Sequence, residues 1–312
     1  MKSLFSKKSF IHYALIGILA LGILTGCGIN NSREKNDNNS INTNRDEVEA
    51  KIMEDFQAKL ANEVSLSEIV KFIEENISQL SKENAVLMVD ELEKMQKDFL
   101  SQLEERFFAG DGIQQKISRI YNVRFDLSEV EKTEDPELKK LLKETRDNGY
   151  KLETAEGTFF PVIDYEFYKR FNPYLTPDYK EYIELMAVES NRMPAKDAAL
   201  VIDWKEVLER AVNQEQFIIK YGDSKKIEQV KGLYKKYLTF ALFGANNTPL
   251  FSYDSKTMDP EAREIYSIYL NEGNNSKLKQ NIRGFMNLVE KNNYKLTAEV
   301  EEYRKNILEN LK

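Results

Sequence analysis

Apolar residues recur every three or four positions along most of the chain after residue 45, and this spacing limits the fold more than any other feature. Between Leu66 and Leu80 the pattern i, i+3, i+4, i+7 indicates an α-helix with one buried face. One segment alternates instead. The stretch "YKLETAEGTFFPVIDY" surrounds a Glu156-Gly157 turn and predicts a short hairpin or extended loop near 150–163. We therefore expect an all-α protein, a multi-helix bundle or array with this single exception.

Three of the helix starts share a capping signature, in which a side chain that can accept a hydrogen bond precedes proline and an acid. Proline at the first helical position loses no hydrogen bond, and an acid in the first turn favours the helix dipole. The three starts are Asp135-Pro136-Glu137, Thr176-Pro177-Asp178 and Asp259-Pro260-Glu261. The predicted helices cover residues 66–80, 82–108, 136–147, 177–191, 204–220, 224–243, 260–271, 276–291 and 298–310.

The beginning of the chain has the order of a secretory signal. Three lysines at positions 2, 7 and 8 form a positive segment, and Phe10 to Ile23 form an apolar segment broken only by His12 and Tyr13. Spanning a bilayer needs roughly 20 apolar residues, so this segment is short for a transmembrane helix. A basic end, a short apolar stretch and small residues at a cleavage site are instead typical of a signal peptide.

The four residues Leu24-Thr25-Gly26-Cys27 resemble the lipobox of bacterial lipoproteins, and Cys27 is the only cysteine of the chain. The resemblance implies that the sulfur receives a diacylglyceryl group and that a peptidase cuts before Cys27. Residues 1–26 would then be a signal peptide, and the protein would face outward on a cell membrane. Two acyl chains are enough for a stable anchor. The alternative is an uncleaved anchor helix that contains an incidental cysteine.

The segment after Cys27 predicts a tether. Residues 28–45 are mostly Asn, Ser, Asp and Lys and cannot bury enough apolar surface to fold. A coil of this length spans about 23 Å. We therefore expect the lipidated cysteine and a disordered tether in 27–45, an N-terminal helical region in 46–148 and a C-terminal helical domain in 149–312.

Composition excludes several classes of chemistry. The single histidine, His12, lies in the predicted signal peptide, so the mature chain would lack both imidazole and a free thiol. Histidine-based triads and zinc sites with imidazole or thiolate ligands are then excluded. The loss of three lysines with residues 1–26 changes the formal charge from −7 to −10. Such an acidic protein is not expected to bind nucleic acid, and we predict no cofactor or metal site.

One motif, in "YIELMAVESNRMPAKDAAL", suggests an enzyme. Its Glu189-Ser190 pair is similar to the catalytic Glu-Ser of lytic transglycosylases. That resemblance implies that Glu189 protonates a glycosidic oxygen, which requires a pKa raised by burial. The Gly-Leu-Met-Gln segment of that family is absent here, and residues 198–200 replace it poorly. The alternative is a helix end with an exposed glutamate.

Two further segments allow a structural and a functional interpretation. Nine aromatic residues between Phe159 and Tyr182 could form a platform for sugars or peptides, or the core where a hairpin meets two helices. The loop from Gly244 to Asp254 contains Leu250 and Phe251, whose side chains need cover. It could pack across the bundle or form the rim of a groove.

Two functional hypotheses follow. The first is a membrane-anchored, extracytoplasmic lipoprotein that presents an acidic helical binding or assembly module, with membrane lipid bound through Cys27 and a protein or cell-wall partner. The second is an enzyme that cleaves cell-wall glycan with Glu189 as general acid. A solute receptor of a transporter is disfavoured, because the sequence lacks the alternating strands and helices of two α/β lobes. The first hypothesis predicts no catalytic residue.

Overall fold

The computed structural model describes residues 37–109, 112–120, 127–273 and 276–311, with side chains from residue 44 onward. Residues 44–312 form one compact unit. The predicted signal peptide, Cys27 and the first half of the predicted tether lie outside the described residues.

Helices dominate the described residues, and the predicted all-α class is confirmed. The α-helices are α1 Asp37–Ala61, α2 Leu66–Asn76, α3 Lys82–Phe108, α4 Ile113–Ile120, α5 Pro136–Asp147, α6 Tyr165–Tyr168, α7 Pro177–Asn191, α8 Trp204–Lys220, α9 Ile227–Phe243, α10 Pro260–Asn271, α11 Lys277–Lys291 and α12 Ala298–Glu309. Short 3₁₀ helices cover Ile77–Gln79, Leu127–Lys132 and Lys169–Tyr174.

The capping residues explain why several helices begin where the sequence predicts. Asp135 and Asp259 each accept a hydrogen bond from a backbone N–H in the first turn of the following helix, and Ser81 does the same at the start of α3. The helix predicted from residue 224 begins instead at Ile227. Its first residues form a turn in which the Ser224 hydroxyl donates to Asp178, 2.6 Å away.

Three α-helices were not among the predicted ones. They are α4, which begins directly after Gly112, the four-residue α6, and α1, which begins at Asp37 inside the segment predicted as a tether. Residues 44–48 of α1 are exposed, and the helix first reaches the core at Ile52. The backbone of the predicted tether is therefore helical from residue 37, and its last two residues, Asn44 and Arg45, are exposed.

The predicted hairpin is present as β1, Tyr150–Ala155, paired antiparallel with β2, Thr158–Ile163. Glu156 and Gly157 both have positive φ, of 51° and 74°, as the two-residue turn of a hairpin requires. Two further antiparallel pairs contain two residues per strand. They are β3 Ala195–Lys196 with β4 Ala199–Leu200, and β5 Gly244–Ala245 with β6 Thr248–Pro249.

The core of the compact unit consists of two clusters of buried apolar side chains. The first runs from Ile52 to Ala187 and includes Phe217 and Val230, and the second runs from Ile202 to Val300. The predicted limit between residues 148 and 149 therefore falls within the first cluster. Among the described helices, none is both long enough and apolar enough to cross a bilayer.

Candidate binding groove

A groove of about 880 Å³ lies on the second half of the chain, where residues of α8, α9, α11 and α12 meet. The sequence did not predict it. On each helix the lining side chains are about one turn apart. Residues at that spacing lie on one face of a helix, so each helix turns one face toward the groove. All four helices contribute to the lining, which includes Ile218, Gly232, Tyr234, Lys235, Lys277 and Ile307.

The apolar part of the groove comes from α8 and α12. Ile218, Ile307 and Leu311 are partly buried and pack against the second core cluster, so they form a continuous surface with it. Ile219 lies beside them and is 73% exposed. The exposed isoleucine and the partly buried apolar side chains beside it form an apolar surface in the groove. Covering that surface with a ligand would lower the free energy.

Gly232 stands in the middle of α9 and lines the groove. A glycine there costs roughly 1 kcal/mol relative to alanine, so a reason for it is expected. The described structure supplies none, because a Cβ at this position would meet no atom within 4 Å. Gly284 of α11 differs, since a Cβ there would overlap the Tyr303 hydroxyl. Gly284 thus makes room for a side chain of this protein, whereas Gly232 leaves room that the described residues do not fill.

Two buried polar residues form part of the inner wall. Tyr234 is 7% exposed, and its hydroxyl has no hydrogen-bond partner among the described residues. Burial, together with the charge of Glu215, raises the pKa of the Tyr234 phenol well above its usual range, so the hydroxyl remains a donor. Glu215 is also buried and accepts a hydrogen bond from the Leu278 N–H, 2.7 Å away, in the first turn of α11. This carboxylate stabilises the helix start through the helix dipole.

The charged residues of the groove are mainly lysines. Lys231 forms an ion pair with Glu228 at 2.9 Å, one turn earlier on α9. Lys235 and Lys277 are exposed, belong to two different helices, and have no ion-pair partner in the described part of the chain. The lining therefore presents two uncompensated ammonium groups on a protein whose net charge is strongly negative.

Glu189, the predicted general acid of the enzyme hypothesis, lies at the end of α7 and is 11% exposed. Arg210 donates to its Oε1 at 3.0 Å, and the Tyr237 hydroxyl donates to the same oxygen. Lys236 lies 3.3 Å from Oε2. A smaller pocket of about 300 Å³ lies beside it and includes Met193 in its lining. Glu189 is thus neither on an open helix surface nor in a deep apolar cleft: it is a carboxylate with cations or donors on both oxygens.

Most of the aromatic residues between Phe159 and Tyr182 are buried in the first core cluster. The Tyr165 and Tyr182 hydroxyls donate to Glu93 Oε1, at 2.6 and 2.5 Å. The Lys226 ammonium lies 2.5 Å from Oε2 and also contacts Asp90. Burial alone would raise the pKa of Glu93, but the charges of Lys226 and Lys97 outweigh it, so the pKa of Glu93 is lowered. The arrangement is a core joint, as one of the two interpretations expected.

The loop from Gly244 to Asp254 packs on the bundle. Leu250 and Phe251 are buried in the second core cluster, and Gly244 has a φ of 76° that lets the chain leave α9 sharply. The loop residues do not line the groove. The described residues also contain no group of three or more His, Cys, Asp or Glu side chains that could hold a metal ion.

Comparison with known proteins adds no relative. No protein-family model matches the chain, and neither a curated protein nor a solved structure matches it.

Proposed function

We propose that this protein is a lipid-anchored lipoprotein on the outer face of a cell membrane and that its helical unit acts as a binding module. The lipobox-like residues around Cys27 support the anchor. The groove between α8, α9, α11 and α12 supports the binding role, because it combines an apolar surface with hydrogen-bonding groups and uncompensated charge.

The observation that favours a binding module over an enzyme is the set of contacts made by the three acids that line the groove and the pocket at Glu189. Carboxylate catalysis needs a carboxyl group that can give a proton to a substrate and that faces open space. Glu215 is engaged with the start of α11, and Glu228 pairs with Lys231. Glu189 is held by Arg210 and two further partners. These acids serve the fold.

The anchor is tested by Cys27→Ser in the full-length precursor, expressed in a bacterial host. We expect the wild-type protein to be processed and to sediment with membranes. The variant should remain an unprocessed precursor or appear in the soluble fraction. Asn38→Ala, outside the lipobox, is the control and should behave like the wild type. If Cys27→Ser fractionates and migrates on gels like the wild type, the lipoprotein assignment is refuted.

Cleavage of cell-wall glycan is the second candidate, because Glu189 borders a pocket of about 300 Å³. It is tested by incubating purified peptidoglycan with the mature protein and with Glu189→Gln. We expect no soluble fragments from either protein. Digestion by the wild type that disappears in the variant would establish the enzyme and remove the main argument for the binding module.

A further inference from the structure

We propose that the groove between α8, α9, α11 and α12 binds a short acidic peptide segment of another protein, with one large apolar side chain of that peptide seated beside Gly232. This inference deepens the proposed binding role and rests on it, but it does not depend on the lipid anchor.

Helix α9 has a glycine, Gly232, where its own fold offers no steric reason for one, and the open volume at that point belongs to the groove. Gly232 lowers the stability of the helix and relieves no clash within this protein. Its presence is explained if a ligand occupies the space beside it. The apolar side chains of Ile218 and Ile307 border the same space, so the part of the ligand that enters should be apolar.

Hydrogen-bonding side chains line the groove beside the apolar ones, and Tyr234 is among them. Asn281, Asn306 and Asn310 add amide groups to the lining. A peptide backbone offers donors and acceptors at every residue, whereas an acyl chain offers none, so this lining favours a peptide over a lipid tail.

Two lysines of the groove, Lys235 and Lys277, extend from different helices without an ion-pair partner in the described structure, while the chain as a whole is acidic. Acidic side chains on the ligand would complement these two ammonium groups, and a basic ligand would be repelled from them. A groove about two helical turns long, from Tyr303 on α12 to Leu311 just beyond its end, fits a short segment.

The experiment is a selection from a displayed library of random twelve-residue peptides on the mature chain, immobilised through a tag at its N-terminus. Enriched peptides are synthesised with a fluorophore, and their dissociation constants are measured by fluorescence anisotropy. We expect them to carry an excess of Asp and Glu and at least one large apolar residue. Enrichment of basic peptides, or no enrichment over an unrelated acidic protein, would overturn the proposal.

Two variants then test whether the selected peptides bind in the groove. Gly232→Leu should weaken binding by about tenfold or more, because the new side chain fills the space of the ligand. The double variant Lys235→Glu with Lys277→Glu should also weaken it about tenfold, since two attractive contacts become repulsive. The matched control, Lys51→Glu with Lys71→Glu, changes the net charge of the protein by the same amount at positions on α1 and α2. It should leave peptide binding unchanged.

Circular dichroism checks that each variant is folded, and the lysine pair keeps the test decisive if Gly232→Leu does not fold. Binding that neither change weakens would place the peptides elsewhere and refute the groove. A fluorescent fatty acid, added as a second probe, should not bind. If it binds and Gly232→Leu abolishes that binding, the occupant is a lipid and the peptide proposal is wrong. The Cys27→Ser fractionation is unaffected by any of these results.

Discussion

Replacing Lys226 with methionine should lower the free energy of unfolding by about 3–5 kcal/mol, the usual cost of removing one partner from a buried ion pair. The Lys226 side chain is 3% exposed and the Glu93 side chain 1%, with 2.5 Å between Nζ and Oε2. Methionine fills a similar volume but leaves Oε2 without its cation. At about 2–4 °C per kcal/mol for a unit of this size, the melting temperature should fall by roughly 6–20 °C.

The same variant should reverse the response of this site to pH. In the wild type the pKa of Glu93 is below its ordinary value of 4.5, so its contribution to stability is complete above about pH 4.5 and is lost on further acidification. Without Lys226, burial is the dominant effect and the pKa of Glu93 should rise above 4.5. Acidification from pH 7 would then relieve the buried charge, so the difference in stability between variant and wild type should narrow as pH falls.

The measurement is urea unfolding followed by far-ultraviolet circular dichroism at pH 7 and at pH 5. Lys71→Met is the control, because Lys71 and Glu75 are both exposed and 3.8 Å apart, and its effect should stay within about 0.5 kcal/mol. A loss below about 1 kcal/mol for Lys226→Met, or a loss that grows as pH falls, would refute this account of the buried pair.

Glycine substitutions test the packing around the groove and the loop. Gly232→Ala should raise the free energy of unfolding by up to about 1 kcal/mol, because alanine favours the helix and its Cβ meets nothing within 4 Å; a destabilised variant would contradict the open space. Gly284→Ala should lower it by about 1–3 kcal/mol, since the Tyr303 hydroxyl must move, and no loss would show that Tyr303 is not held there. Gly244→Ala should lower the free energy of unfolding by at least about 1 kcal/mol, because φ is 76° and the Cβ would overlap the Thr248 carbonyl. An unchanged melting temperature for Gly244→Ala would contradict this backbone conformation. Thermal unfolding measures all three variants.

Much of the fold could be predicted from local pattern. The spacing of apolar residues and the capping signatures placed α3, α5, α7, α8 and α10 at their observed limits, and the Glu156-Gly157 turn placed the hairpin. These features depend on residues a few positions apart. The backbone of residues 37–45 was not predicted, because their polar composition carries no apolar period.

The groove could not be predicted, because it depends on which helices pack together. Gly232 appears in the sequence only as a weak position in a helix, and the groove that it lines forms only where α8, α9, α11 and α12 meet. Lys226 and Glu93 are 133 residues apart, and each resembles an ordinary charge on a polar helix face. The available signal was a glycine inside a predicted helix, three residues before Lys235 and thirteen residues after the adjacent pair Ile218-Ile219.

Helices α8 and α9 belong to both core clusters at once. The beginning of α8 contributes Val207 and Leu208 to the second cluster, and its end contributes Phe217 to the first; α9 runs the other way, from Val230 in the first to Leu242 in the second. Unfolding of the elements around either cluster would therefore remove contacts that α8 and α9 make with the other cluster. The backbone amides at the centres of these two helices should therefore be the slowest to exchange with solvent. Proteolysis that unfolds the elements of either cluster should unfold the whole unit.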